Sequence, residues 1–265
     1  MKFDQIKREP LMQEVTYQEA IQFTQKNYIE TSIEHVLAEK ERDHAHKKRL
    51  SWAWTTEAFE LLIQRYSGGE PLDTLAPYAE HTFSQFERHK RDFPDFSLKL
   101  WEPDAYQYIL WLLSLAVLFN IPGRIEQIAT YISAHPKDGL DLLLRRLFAR
   151  VGITLPGDRL IHEKPYAELL AALDASGDEQ QQALRTYLKQ WYRGMRNCYW
   201  HDRHKRNMEA FFGYWAFEAG LVTLLWEVDD APYRELPYYP KDLVDDARTR
   251  HVLRSFPTGP RIDAV

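Results

Sequence analysis

Glu218 stands in the run Phe211-Phe212-Gly213-Tyr214-Trp215-Ala216-Phe217-Glu218-Ala219-Gly220. A carboxylate buried among such side chains must be hydrogen-bonded or neutralised. An arginine, or tyrosine and tryptophan donors, would serve. Two chemistries fit: a carboxylic acid of raised pKa, or a satisfied anchor that fixes helix register. The anchor is the expected one, because buried pairing perturbs pKa values without catalysis. His201 and His204 are three apart and can share a helical face, so a metal-dependent hydrolase using them with Asp202 and Glu218 is the alternative. Two histidines do not complete a structural zinc site, and no cysteine or third histidine has fitting spacing. His44 and His46, two apart, point about 200° from each other on a helix and cannot chelate one ion there. Cys198 is the single cysteine, so no intrachain disulfide forms. Its neighbours Tyr199 and Trp200 favour burial over the electropositive pocket a reactive thiolate needs. Pro94-Asp95 with Lys99 echoes the acid-and-lysine centres of many nucleases, but those sit on paired strands, and a helix-breaking loop is expected here. No nucleophile elbow, HExxH helix or phosphate-binding loop is present. The sequence therefore predicts no catalytic residue, no metal and no cofactor.

A different chemistry is suggested by Glu227, Asp229, Asp230, Glu235, Asp242, Asp245 and Asp246, interleaved with Tyr233, Tyr238 and Tyr239. Carboxylates steer a basic partner and aromatics supply anchoring area. A solvated terminal segment packed by its tyrosines is the alternative. The acidic N-terminal half is the other candidate face: the whole net charge of −5 arises before Ala134. Trp52 and Trp54 could form an exposed patch, though core packing is the commoner fate.

The elements that must position these groups read as helices throughout. Ala20, Ile21, Phe23, Tyr28, Ile33, Val36 and Leu37 recur at helical spacing and predict one amphipathic helix over 15–43. Thr16, with Glu19 three residues on, has capping-box spacing. A second helix is predicted from Leu50 to Tyr66, ended by Ser67-Gly68-Gly69. A third opens at Pro71 and runs to Arg91. Asp104 is placed as the cap of an apolar helix ending at Phe119. Helices are expected over 124–133, 139–151, 166–173, 178–198 and from His204 or Lys205 to Glu227, followed by a Pro- and Tyr-rich tail with one short helix. No strand is predicted, because two-residue alternation is absent. The fold class is all-α: eight to ten helices in two packed subdomains, 1–155 and 156–265, with the seam at Pro156-Gly157.

Aromatic residues make up 14% of the chain, with 8 Trp, which requires a real core to bury them. The apolar stretch 108–119 is too short to span a bilayer, and 210–226 carries Glu218 and two glycines. No apolar segment follows the charged first residues, so no secretory signal, no membrane association and a cytoplasmic location are expected. A net charge of −5 lacks the basic surplus of a nucleic-acid binder.

One ordered series of motifs resembles a known family. Tyr66-Ser67-Gly68-Gly69-Glu70 is similar to the N-terminal half of the polymorphic nuclease effector (PoNe) immunity proteins. The C-terminal half is matched by Trp191-Tyr192, Tyr199-Trp200-His201, Gly213 to Ala219, Asp229-Asp230 and Tyr238-Tyr239-Pro240-Lys241-Asp242-Leu243-Val244. The resemblance implies an all-helical bacterial protein encoded beside a toxic DNase, often one delivered by type VI secretion. It would bind that toxin and block it without catalysis. Within these motifs Trp191, Tyr192, Trp200, His201, Tyr214, Trp215, Glu218, Tyr239 and Pro240 are expected to form a structural core, and the acidic cluster from Glu227 to Asp246 to face the toxin. A homodimer is allowed, and a general helical scaffold is the remaining alternative. The charge of −5 is modest for a mimic of DNA, so the acidity must be local or the inhibition steric.

Overall fold

The computed structural model describes residues 2–38, 43–133 and 139–256. Among these lie thirteen α-helices: α1 (Phe3–Ile6), α2 (Glu14–Thr24), α3 (Ile33–Ala38), α4 (His44–Ser67), α5 (Leu72–Asp92), α6 (Pro103–Leu118), α7 (Ile125–Thr130), α8 (Leu142–Arg150), α9 (Glu163–Asp174), α10 (Gly177–Gly194), α11 (Arg203–Arg206), α12 (Phe217–Leu225) and α13 (Lys241–Thr249). The all-α class holds. The chain does contain strand, contrary to expectation: β1 (Leu98–Lys99) and β2 (Ile132–Ser133) pair in parallel, Leu98 opposite Ile132. Pairs this short carry no alternation for a sequence pattern to show.

The chain divides into two compact units. One comprises Met1–Phe96 with Asp202–Tyr214, the other Ser97–His201 with Trp215–Val265. Pro156 and Gly157 fall inside the second.

In the first unit α4 and α5 form an antiparallel pair. α4 begins earlier than its apolar pattern suggests, because the Asp43 carboxylate accepts the His46 N–H and caps it. It ends at Ser67, before Gly68 and Gly69. The single helix expected over 15–43 is broken: α2 passes into a π-helical turn, Gln25–Ile29, and α3 starts at Ile33. Residues 39–42 of that expected helix lie outside the described residues. Gln13, not Thr16, precedes the first turn of α2, and the Thr16 hydroxyl donates to the Gln13 carbonyl. Trp52 and Trp54 are half-buried rather than a patch. Trp52 packs on Phe86 and Phe96, and Trp54 meets Tyr28 edge-on at 4.8 Å.

In the second unit α6 is buried along nearly its whole length. Asp104 sits in its first turn rather than capping it, and accepts the Tyr199 N–H at 2.8 Å. α12 is buried throughout and approaches α13 closely. A methyl at Gly220 would lie 2.9 Å from Pro240 Cγ and 3.1 Å from Val244 Cγ2, so any larger residue would push these side chains aside.

The long helix expected from 204 or 205 to 227 is the largest departure. α11 stops at Arg206, and α12 begins at Phe217. Between them runs an irregular, largely aromatic segment in which Gly213 takes φ +105°, a value a helix excludes. Side chains, and one main-chain carbonyl, take over the backbone bonds that a helix would make. In the first unit Gln64 Nε2 donates to the Phe211 carbonyl, Ser67 Oγ donates to the Phe212 carbonyl, and Glu9 accepts the Tyr214 N–H. In the second, Trp111 Nε1 donates to the Trp215 carbonyl, and the Tyr238 carbonyl accepts the Ala216 N–H. A buried non-helical backbone is stable only with such partners.

Candidate functional site

The Glu218 carboxylate, fully buried on the first turn of α12, is surrounded by donors. Tyr187 Oη and Trp191 Nε1 each donate to Oε1 at 2.6 Å, and Gln107 Nε2 donates to Oε2 at 3.2 Å. Gln107 Oε1 in turn accepts the Tyr166 hydroxyl at 2.6 Å. Burial raises the Glu218 pKa, and these donors oppose the rise. No cationic side chain takes part among its hydrogen-bond partners. The arrangement is a neutral-donor cage that joins α6, α9, α10 and α12, which is the anchoring geometry.

The remaining signature residues extend that core. Trp200 stacks on both Trp111 and Trp191 with centroids 5.4 Å apart. Trp191, Trp200, Trp215, Tyr239 and Pro240 are buried, as is Tyr214 in the first unit. Tyr192 and His201 are half-buried and stacked at 4.3 Å. His204 Nδ1 lies 2.7 Å from the Tyr214 hydroxyl. Among the described residues no group of three His, Cys, Asp or Glu side chains is gathered for a metal ion. Cys198 is buried, and burial pushes its thiol up, away from the thiolate. Asp95 pairs with Lys48, and Lys99 lies 3.4 Å from Glu102.

The C-terminal acidic cluster is largely neutralised from within. Asp230 is only 3% exposed; it accepts the Tyr239 hydroxyl and pairs with Arg234 and Arg248, each at 3.1 Å. Burial alone would raise its pKa, but those partners hold it below the ordinary range. Asp245 takes Arg234 at 2.6 Å, Asp246 takes Arg250 at 2.6 Å, and Glu235 takes Lys241 at 2.5 Å. Asp229 caps the Ala231 N–H, and Asp242 accepts the Leu243 N–H. Glu227, Asp229 and Glu235 are exposed.

Unbalanced acidity lies elsewhere. In the first unit a cleft of about 490 Å³ opens between α2, α4 and the chain around α11, walled by Glu19, Glu57, Glu60 and Glu209 with Phe23, Leu61 and Phe212 beside them. Arg203 Nη1 pairs with Glu60 Oε2 at 2.6 Å, and its guanidinium lies 5.4 Å from the Phe212 ring centre. Among the described residues Glu19, Glu57 and Glu209 have no hydrogen-bond or ion-pair partner. Burial, then the neighbouring Glu60 charge, pushes the Glu57 pKa up to about 7 against the pull of Arg203. These carboxylates come from three distant stretches of chain, so spacing alone does not announce the cleft.

The second unit contributes no helix that could cross a membrane, nor does the first: among the described residues none is long and apolar enough.

This chain is similar to known proteins at two levels, sequence family and fold. One family model, the PoNe immunity protein (PoNi) N-terminal domain, matches residues 8–131; a second, the C-terminal domain of PoNe immunity proteins, matches residues 139–243. The fold is shared with a crystal structure of protein PA2201 from Pseudomonas aeruginosa, at TM-score 0.70 and 21% identity over 91% of this chain and 90% of that one. No curated protein matches. The chain belongs to the PoNe immunity protein family, whose membership implies an immunity protein against a nuclease toxin.

Proposed function

We propose that this chain binds a cognate DNase toxin in the cytoplasm of the cell that makes it and blocks the toxin by direct contact, without catalysis of its own. The toxin would be the nuclease encoded beside it, of the kind used in competition between bacteria through type VI secretion. The observation that carries this reading is the pair of family matches, which together span residues 8–243. Two features of the molecule support a contact role. Glu218, a carboxylate set deep in an aromatic core, is held by structural donors. His201 and His204 are each engaged with tyrosines. The exposed acids Glu227, Asp229 and Glu235, with half-buried Asp242, are the competing surface, to be set against the first unit in the binding test below.

The test is co-expression. Cells producing the neighbouring nuclease inside the cytoplasm are expected to lose their chromosomal DNA, and cells that also produce this chain to keep it. Continued DNA loss despite soluble accumulation of this chain would refute the reading.

A further inference from the structure

The first unit carries an exposed apolar strip that runs into its acidic cleft. Val15, Glu19 and Phe23 lie at intervals of four along α2 and so share one face. Val15 is 66% exposed and Phe23 60%, the two most exposed of the large hydrophobic side chains among the described residues. Phe23 and Glu19 also line the cleft, so this face of α2 sets exposed aromatic area directly beside carboxylates, the pairing that anchors and steers a basic partner. The strip ends where α2 gives way to the π-helical turn Gln25–Ile29, a distortion that recurs at functional sites.

The cleft beside it already shows how it receives a cation. Arg203 is seated against Glu60 on one side and the Phe212 ring on the other. That one guanidinium engages one carboxylate of the four. Glu57, three residues from Glu60 on α4, and Glu19 and Glu209 on the other walls keep no partner among the described residues.

We infer that this strip and cleft are the docking surface for the toxin: a lysine or arginine side chain of the nuclease enters beside Arg203 and pairs with Glu57 and Glu209, while apolar side chains next to it cover Val15 and Phe23. The inference rests on the proposed function and adds the surface and the chemistry of its occupant. Charge complementarity selects that occupant. A nuclease must present basic groups where it holds phosphate. A carboxylate-lined cleft competes for those groups and speeds encounter. The apolar strip supplies the area that makes the contact last. The modest overall charge then presents no difficulty, because the acidity is local.

The experiment measures binding of the full-length chain to the nuclease encoded beside it, by biolayer interferometry at roughly 50 and 300 mM salt. The double variant Glu57→Gln/Glu209→Gln is expected to weaken binding about tenfold at low salt and to flatten the salt dependence. Phe23→Ser is expected to weaken it about tenfold at both salts. Glu19→Gln, at an exposed position with no partner to lose, serves as the variant that cannot unfold the chain, and is expected to weaken binding at low salt only. Glu235→Gln/Asp242→Asn is expected to stay within about twofold of wild type. A wild-type complex that the cleft and strip variants leave unchanged would overturn the docking surface and leave the toxin-blocking reading standing. Loss of binding in Glu235→Gln/Asp242→Asn alone would do the same in favour of the C-terminal surface. Failure of the wild-type chain to bind the nuclease at all would overturn the functional reading itself.

Discussion

Glu57 and Glu60 stand three residues apart on one wall of the α4 cleft, and Arg203 pairs with Glu60 at 2.6 Å while Glu57 keeps no ion pair. The asymmetry has a measurable consequence. The folded Glu57 pKa is raised from 4.5 to about 7 by burial and by the Glu60 charge. Between those values the folded chain holds a proton that the unfolded chain has released, so stability falls as pH rises through this window and levels off above it. Urea unfolding at pH 5 and pH 8 is expected to show a smaller pH effect in Glu57→Gln than in wild type. An identical pH dependence in the two would place Glu57 in contact with water.

The same proton bears on binding. The groups facing Glu57 are Glu60 and Arg203, with Tyr28 close enough to feel its charge. Protonation below about pH 7 removes one negative charge from the cleft. Toxin affinity at low salt is expected to drop as pH falls from 8 to 6, and to drop less in Glu57→Gln. Equal slopes would separate this carboxylate from the interface.

The Glu218 cage should behave as structure. Glu218→Ala orphans the Tyr187, Trp191 and Gln107 donors and opens a cavity, at a cost of about 4 kcal/mol. Glu218→Gln keeps an acceptor for Tyr187 and Trp191 but opposes one amide NH2 to that of Gln107. Turning Gln107 over would relieve that clash but break its bond from Tyr166. It should therefore cost roughly half as much. Equilibrium unfolding decides it: a Glu218→Ala chain as stable as wild type would mean that the cage contributes nothing.

Asp230 ties the C-terminal segment together through Tyr239, Arg234 and Arg248. Its folded pKa lies below the ordinary value, so its contribution is present above the unfolded pKa and is lost as pH falls through the folded one. Asp230→Asn is expected to destabilise by roughly 2 kcal/mol at pH 7, with the difference shrinking in acid. A constant difference down to pH 2 would point to packing rather than charge.

His89 also loses stability in acid, but because its neutral form is the one the fold favours. It is buried beside Phe93 and Phe96 with Nδ1 2.8 Å from Ser51 Oγ. Burial, then the Arg88 and Lys48 charges, lowers its pKa to about 4 from 6.5. Protonation therefore favours the unfolded chain, and stability is lost as pH falls from 6.5 toward 4. NMR titration should place its ring near pH 4. A midpoint near 6.5 would show an open ring.

Helical periodicity made α4, α5 and α6 legible, and the demand that a buried Glu218 find donors anticipated tyrosine and tryptophan partners. The stretch 207–216 was not legible. Its aromatic content suits a buried helix and a buried irregular segment equally, and the deciding partners, Gln64, Ser67 and Glu9, lie far away in sequence. The cleft was hidden for the same reason. Glu19, Glu57 and Glu209 belong to separate segments, and Phe23 reads as part of an ordinary buried stripe until the fold leaves it 60% exposed. The C-terminal acids were legible as a cluster, but the pairing that neutralises them needed α13 to bring Arg248 and Arg250 alongside.

The claim that this chain neutralises its toxin by contact is tested most directly by DNA cleavage in vitro. The purified nuclease encoded beside it, titrated with the purified chain, is predicted to lose activity in proportion to the amount added and to stop at equimolar ratio, with the Glu57→Gln/Glu209→Gln variant needing a clear excess. Cleavage that continues unchanged in a large excess of the wild-type chain would contradict the account.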